Sequence, residues 1–275
     1  MAPLSLRDLS LLLIAYPLMA LAQSNFLSPT QIAAHFNLAS STSLALPTQT
    51  MDPNTTATWF QNTSGWQIAN NGRIANPQLV NFTKDPFDSK STSPVLSVTY
   101  PAAMYGNNDG TRFSTYFNDS SAGFGTMQIS YQVGFPADYQ FVKGGKLPGL
   151  RGGTPLNGCD GGSNSSTCFS VRLMWRTKAE GEAYGYLQGP SSLCDNEKNV
   201  ICESTGSGIS FGRGSFSFVA GTWNQVDMVV GLNNPVTSKN GYIATYYNGA
   251  LAINQTGLLL RSSSSVQNIQ GMFFS

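Results

Sequence analysis

From Trp59 onward, short runs of alternating apolar and polar residues recur between Gly, Pro and Asn turns. A period of two sends successive side chains to opposite faces of an extended strand, so a chain patterned this way folds as antiparallel sheet. The clearest run is 127–135, where Met127, Ile129, Tyr131, Val133 and Phe135 point one way and Gln128, Ser130 and Gln132 the other. Runs at 95–100 and 226–232 alternate similarly, and 242–247 meets 250–253 across Asn248 and Gly249, a pair favoured in two-residue hairpin turns. No stretch predicts a helix longer than about two turns, and there is no internal repeat. The pattern predicts an all-β, antiparallel two-sheet sandwich of the jelly-roll kind, with short loops and little helix.

The ends of the 275-residue chain read differently. Residues 1–22 hold one arginine, Arg7, an apolar run from Leu9 to Ala20, and the small-x-small pattern Ala20-Leu21-Ala22. The run is shorter than the ~20 residues of a membrane span, so a signal peptide cleaved after Ala22 is expected, and with it a secreted, extracellular protein. Residues 23–54 read as a Ser/Thr/Pro-rich linker or loosely packed arm, without sustained periodicity apart from a short stretch around Gln31 to Phe36, and 55–275 as the sandwich domain. Export predicts oxidised cysteines. Cys159, Cys168, Cys194 and Cys202 allow three pairings, and the close spacings favour local bridges 159 to 168 and 194 to 202. A zinc site would need tighter spacings or histidine partners, and the only histidine is His35. Neither a metal nor any other cofactor is expected. Sequons begin at Asn54, Asn62, Asn81, Asn118, Asn164 and Asn254, which predicts glycosylation on that route. Charged residues make up 11% of the chain with a formal charge of +1, against roughly a quarter in ordinary soluble domains. Such a chain has no global field to attract nucleic acid or an anionic membrane, so any acidic ligand must be held locally. A monomer is expected.

In 169–177, Phe169, Val171, Leu173 and Trp175 form an apolar face and leave Ser170, Arg172, Met174 and Arg176 opposite. The chain turns through 178–181 and returns as 182–187. A three-residue loop with Gly181 left-handed sets Thr177 opposite Gly181, Arg172 opposite Tyr186 and Met174 opposite Tyr184, so Ser170, Arg172, Tyr184 and Tyr186 share a face. An even loop would send the tyrosines to the core. An ordinary solvated sheet face accounts for these residues equally well. The basic, glycine-dense stretch 141–153 superficially suggests a phosphate loop, but no Gly-Lys-Ser/Thr and no following helix are present, which excludes nucleotide binding of that kind.

The sequence resembles polysaccharide lyase family 14, the alginate and glucuronan lyase group. The likeness rests on Gly-Gly-Lys-Leu-Pro-Gly-Leu-Arg-Gly-Gly at 144–153, Ser170 and Arg172, Tyr184 and Tyr186, and Gly221-Thr222-Trp223-Asn224, and it spans about Trp59 to the C-terminus. The resemblance implies a β jelly roll and a cleft lined by Lys146, Ser170, Arg172, Tyr184 and Tyr186. Lys143, Arg151 and Arg176 join Lys146 as expected substrate-binding cations. In that family the jelly roll continues past the Gly-Met-Phe-Phe-Ser found at 271–275, so the domain is expected to be incomplete at its C-terminus.

The implied reaction is β-elimination on a uronate: the C5 proton leaves, the C4 oxygen is expelled, and an unsaturated sugar remains. Arg172, helped by Ser170, is expected to stabilise the enolate-like charge, and Lys146 to hold the same or a neighbouring carboxylate. A tyrosine with a pKa near ~10 serves as base only if nearby positive charge lowers it, here from Arg172 and Lys146. Tyr186 is the expected base and Tyr184 the proton donor. Alginate and glucuronan both remain open as the acidic polysaccharide substrate. Two rivals stand beside this reading. A glycoside hydrolase needs two carboxylic residues across the scissile bond, and Glu180, Glu182, Glu197 and Glu203 sit in or near predicted turns and loops, with no Glu-x-Asp-x-Glu strand. A noncatalytic acidic-carbohydrate-binding protein would use the same face.

Overall fold

In the computed structural model of this chain, residues 26–62, 64–69, 71–106, 110–117, 123–153, 159, 166–188, 193–194, 199–203, 208–263, 266 and 268–275 are described. The expected leader at 1–22, the sequons at Asn118 and Asn164, and Glu197 lie outside them.

The strands are β1 (Val80–Thr83), β2 (Val95–Val98), β3 (Phe113–Ser114), β4 (Thr126–Gly134), β5 (Gly145–Gly153), β6 (Cys168–Trp175), β7 (Glu180–Tyr186), β8 (Val200–Cys202), β9 (Ile209–Ser217), β10 (Trp223–Gly231), β11 (Gly241–Tyr247), β12 (Ala250–Leu258) and β13 (Ile269–Phe274). A seven-stranded sheet runs β3-β13-β5-β6-β7-β9-β8 and a four-stranded sheet β12-β11-β10-β4, with β1-β2 as a separate ribbon. Every pairing is antiparallel. The expected all-β two-sheet sandwich is what forms.

The core lies between the two large sheets. Met127, Ile129, Tyr131, Val133 and Phe135 face Phe169, Val171, Leu173 and Trp175 across it, so the period-two reading of both strands holds. Each fully buried side chain of this size contributes about 1.5–3 kcal/mol. The hairpin turn at Asn248 and Gly249 has positive φ at both residues, +49° and +81°, as a type I′ turn requires.

Two helices exceed or sharpen the expectation. α1 (Pro29–His35) is capped by Ser28, whose hydroxyl accepts from Gln31 N while the Gln31 side chain accepts from Ser28 N. Its one buried residue, Ile32, packs on Val229, Ala244 and Tyr246, and Leu27 N donates to Gly249 O. This part of the arm is therefore docked on the outer face of the four-stranded sheet, because that face carries apolar side chains that would otherwise meet water. α2 (Pro53–Asn62) is longer than the two turns expected and inserts Phe60 beside Trp66, Phe82 and Phe113, extending the core at the β3 side.

The glycine-rich stretch is neither loop nor turn; it is β5, in the interior of the larger sheet. Pro148 is accommodated at a register break between Lys146 and Gly149, the kind of position where proline's missing N–H is tolerated. The Pro148 carbonyl accepts a hydrogen bond from Tyr131 of the other sheet (2.9 Å). Gly149 lies so close to β6 that an added Cβ would sit 2.0 Å from Val171 O and 2.4 Å from Arg172 Cα.

Candidate active site

Across the outer face of the seven-stranded sheet, cross-strand pairing lines up three rows. The first is Phe273, Gly149, Arg172, Tyr184 and Ser210; the second Gly271, Arg151, Ser170 and Tyr186; the third Lys146, Met174 and Glu182. Ser170, Arg172, Tyr184 and Tyr186 share this face, as expected. Their pairing is corrected: Arg172 stands opposite Tyr184 and Ser170 opposite Tyr186. The loop has three residues but begins one residue earlier, closed by Arg176 N donating to Glu180 O (2.7 Å). Its left-handed residues are Lys178 and Ala179 rather than Gly181. Gly181 is needed for another reason, since an added Cβ would lie 2.1 Å from the Phe216 ring.

A solvated sheet face does not describe these residues. Ser170, Arg172, Tyr184 and Tyr186 are all buried, covered in part by the Cys159–Cys168 disulfide and Met174. The second expected bridge, Cys194–Cys202, also forms.

Tyr184 lies at the centre. The Tyr186 ring meets it edge to face at 5.4 Å. The Arg176 guanidinium lies 5.3 Å from the Tyr184 ring centroid and the Lys146 ammonium 5.8 Å. Burial pushes the Tyr184 phenol well above its ordinary value, assisted by Tyr186 and the Glu203 carboxylate and opposed by Arg176. At this tyrosine desolvation outweighs the neighbouring Arg176 cation.

Arg172 extends over the side-chain-free Gly149 toward Phe273, its guanidinium 4.4 Å from that ring and 5.2 Å from the Tyr186 ring, while Nη1 donates to Ser275 Oγ (2.6 Å). The Ser170 hydroxyl donates to the Cys159 carbonyl (2.6 Å). Arg151 is buried against Tyr116, donating to its hydroxyl and lying 5.4 Å from its ring; burial raises the Tyr116 phenol and Arg151 opposes that rise. Lys143 lies outside the strand rows, exposed, 5.5 Å from the Tyr105 ring.

Glu182, Glu203, Ser210 and Arg213, none of them expected in this site from the sequence, complete it. Glu182 lies in β7, at 0% exposure. Its Oε1 accepts from Arg176 Nε (2.6 Å), and its Oε2 from Ser210 Oγ (2.6 Å) and Arg213 Nε (2.6 Å). Glu203 accepts from Arg213 Nη2 (2.7 Å) and from Arg176 Nη2 (3.4 Å). These bonds hold the Arg213 guanidinium raised against the burial that lowers it. The signal was present in the sequence, because Glu182 has the same strand parity as Tyr184 and Tyr186. Among the described residues no group of three or more His, Cys, Asp or Glu is placed to hold a metal ion, and no helix is long and apolar enough to cross a membrane.

Comparison with known proteins follows this geometry. The family model described as Polysaccharide lyase 14 matches residues 88–275. The structure is similar to the PL-14 alginate lyase of Aplysia kurodai, with a TM-score of 0.69 and 28% identity over 86% of this chain and 89% of that one. Alginate lyase Aly36B is similar in fold, at a TM-score of 0.59 and 18% identity over 83% and 82% of the two chains. A variant of that enzyme in complex with alginate trisaccharide scores 0.58 at 17% identity, with the same coverage. Comparison with curated protein sequences gives no match.

Proposed function

Because this chain belongs to polysaccharide lyase family 14, we propose that it cleaves a uronate-containing polysaccharide by β-elimination with tyrosine as acid and base. The observation that carries this reading is the Tyr184–Tyr186 pair at 5.4 Å, bordered by the cations of Lys146, Arg172 and Arg176. Tyr186 removes the C5 proton; the C–H electrons form the C4–C5 double bond as the C4–oxygen bond breaks. Tyr184 gives its proton to the departing oxygen; Tyr186, which acted as the phenolate, is then a phenol and Tyr184 a phenolate, and exchange with solvent takes the proton from Tyr186 and returns one to Tyr184. Tyr184, raised by burial, is a weaker acid than a free phenol and holds its proton until the strongly basic departing C4 oxygen takes it. Lys146, partly exposed, pairs with the uronate carboxylate. Arg172 places positive charge against the Tyr186 ring, which favours the phenolate that acts as base, and beside the negative charge that develops on the sugar. Ser170, whose hydroxyl is committed to Cys159 O, supports this arrangement by fixing the disulfide beside Tyr186.

Alginate is the preferred substrate, from the likeness to the Aplysia kurodai enzyme, with glucuronan the alternative. The protein acts as a secreted monomer on this acidic polymer, without nucleic-acid or membrane partners. Two disulfides and exposed sequon asparagines at Asn54, Asn62 and Asn254 support the secretory route. A retaining or inverting hydrolase fits poorly, since Glu182 has no exposure and both its oxygens are engaged. The burial of Tyr184 and Tyr186 favours one second reading, an acidic-carbohydrate-binding protein without chemistry.

The test is ultraviolet absorbance of the new conjugated double bond with polymannuronate, polyguluronate and polyglucuronate, using Tyr186→Phe as control. A rise with one polymer, abolished in the variant, is expected. A folded protein that binds polyuronate and gives no rise with any of the three overturns the elimination and leaves the binding protein.

A further inference from the structure

Nine large apolar side chains are exposed among the described residues, and four of them, Tyr100, Met104, Tyr105 and Val142, belong to two segments that meet at one end of the seven-stranded sheet. Tyr100 packs edge-on against Trp175 at 5.4 Å, which anchors its segment over the β5–β6 end. Tyr105 is the most exposed of the nine, at 74%. The Lys143 ammonium lies 5.5 Å from its ring centroid and pairs with no carboxylate among the described residues. The pair therefore presents an apolar ring face with a cation beside it to solvent, the two features an acidic sugar can use.

The position of this pair follows from the strand. Gly144, next to Lys143, sits so that an added Cβ would meet Arg176 Cδ at 3.1 Å, and Arg176 lies over Tyr184. Lys143 is three residues from Lys146, hence at most about 10 Å along the chain. Tyr105 and Lys143 thus continue the line of cations that leads away from the tyrosine pair. An extended polyanion seated on Lys146 meets them next.

We infer that Tyr105 and Lys143 form a peripheral carbohydrate subsite, in which the Tyr105 ring stacks on the apolar face of a uronate sugar and Lys143 pairs with its carboxylate. The inference rests on the proposed polyuronate substrate and adds a binding position outside the tyrosine–arginine centre. A ring with two side-chain torsions loses little entropy on stacking, and a mobile ammonium adapts to carboxylates at different heights on the sugar. The acidic glycan is favoured over a protein partner because the cation belongs to the same line as Lys146 and Arg176.

The test is affinity electrophoresis of the full chain through gels containing polymannuronate, polyguluronate, polyglucuronate or neutral dextran, comparing wild type with Tyr105→Ala, Lys143→Gln and Lys143→Arg. Wild type is expected to be retarded by a polyuronate and not by dextran. Tyr105→Ala and Lys143→Gln are expected to bind about threefold to tenfold more weakly, the scale of one exposed contact, while Lys143→Arg retains most of the affinity. Equal binding by wild type and the two weakening variants overturns the subsite even where unsaturated product forms. Retardation of wild type by dextran as strong as by polyuronate, or by no gel at all, overturns it as well. Wild type that is retarded, with weakened variants but no unsaturated product, keeps the subsite and overturns the elimination instead.

Discussion

Replacing Glu182 by Gln tests how the sheet holds its buried charges. The carboxylate accepts three bonds at 2.6 Å, from Arg176, Ser210 and Arg213, and has no exposure. Hydrogen bonds to charged groups contribute about 1.5–3 kcal/mol each, so three set an upper bound near 5–9 kcal/mol. The actual loss is smaller, because Arg176 and Arg213 are 22% and 26% exposed and water takes over part of their solvation, and because the amide oxygen still accepts one bond. Breaking one side of a buried ion pair costs about 3–5 kcal/mol, and the lower end applies here. At about 2–4 °C per kcal/mol for a domain of this size, Glu182→Gln is expected to lower Tm by about 6–12 °C in a thermal melt followed by circular dichroism. The double variant Glu182→Gln/Arg213→Gln should lose less than the sum of the single changes, by about 0.5–3 kcal/mol. A melt lowered by less than about 1 °C, or strictly additive losses, would refute the view that this cluster is a coupled unit.

Four further outcomes are expected. Tyr131→Phe removes the inter-sheet hydrogen bond to Pro148 O and should cost about 1 kcal/mol in urea unfolding, with a rise in KM because the β5 register break beside Lys146 loses its support. Gly149→Ala forces the new methyl against the β6 backbone; a stability loss of about 1–3 kcal/mol with a lower kcat is expected, and unchanged kinetics would show that Arg172 tolerates the displacement. Tyr184 and Tyr131 are both raised by burial, so in a spectrophotometric titration they should stay protonated when unfolded tyrosine, near pH ~10, has ionised. Because the folded pKa lies above the unfolded one, the associated stability is present below pH ~10 and is lost as pH rises from there toward the folded value. Changing both Cys194 and Cys202 to Ser frees the short β8 and, with it, the Glu203 that holds Arg176 and Arg213; about 2–4 kcal/mol of stability should be lost, together with activity.

Strand patterns that face one apolar and one polar environment were legible. β4 and β6 each separate their two faces cleanly, so their core residues followed from parity, and the shared face of Arg172, Tyr184 and Tyr186 from parity together with a loop of odd length. The local disulfides were legible from spacing and the hairpin at Asn248 and Gly249 from turn chemistry. β5 was not, because its glycines serve close packing against Trp175 and the β6 backbone, while glycine in sequence signals a turn. Glu182 stood at the start of the return strand, beside a loop placed one residue too late, so its face was legible but its burial and its two arginine partners were not. α1 was only partly legible: one buried side chain, Ile32, fastens it, too little to create a periodic signal.

The ionic cluster beneath Tyr184 contains two arginines and two glutamates and so carries no net charge. Dissolved salt screens charges that face water, over about 8 Å at physiological strength, and reaches buried pairs far less. Lys143 and Lys146 meet the solvent; Glu182 does not. Ionic strength therefore separates the capture of a polyanion from the integrity of the reacting centre: brine loosens the grip on the polymer while the machinery beneath it stays assembled.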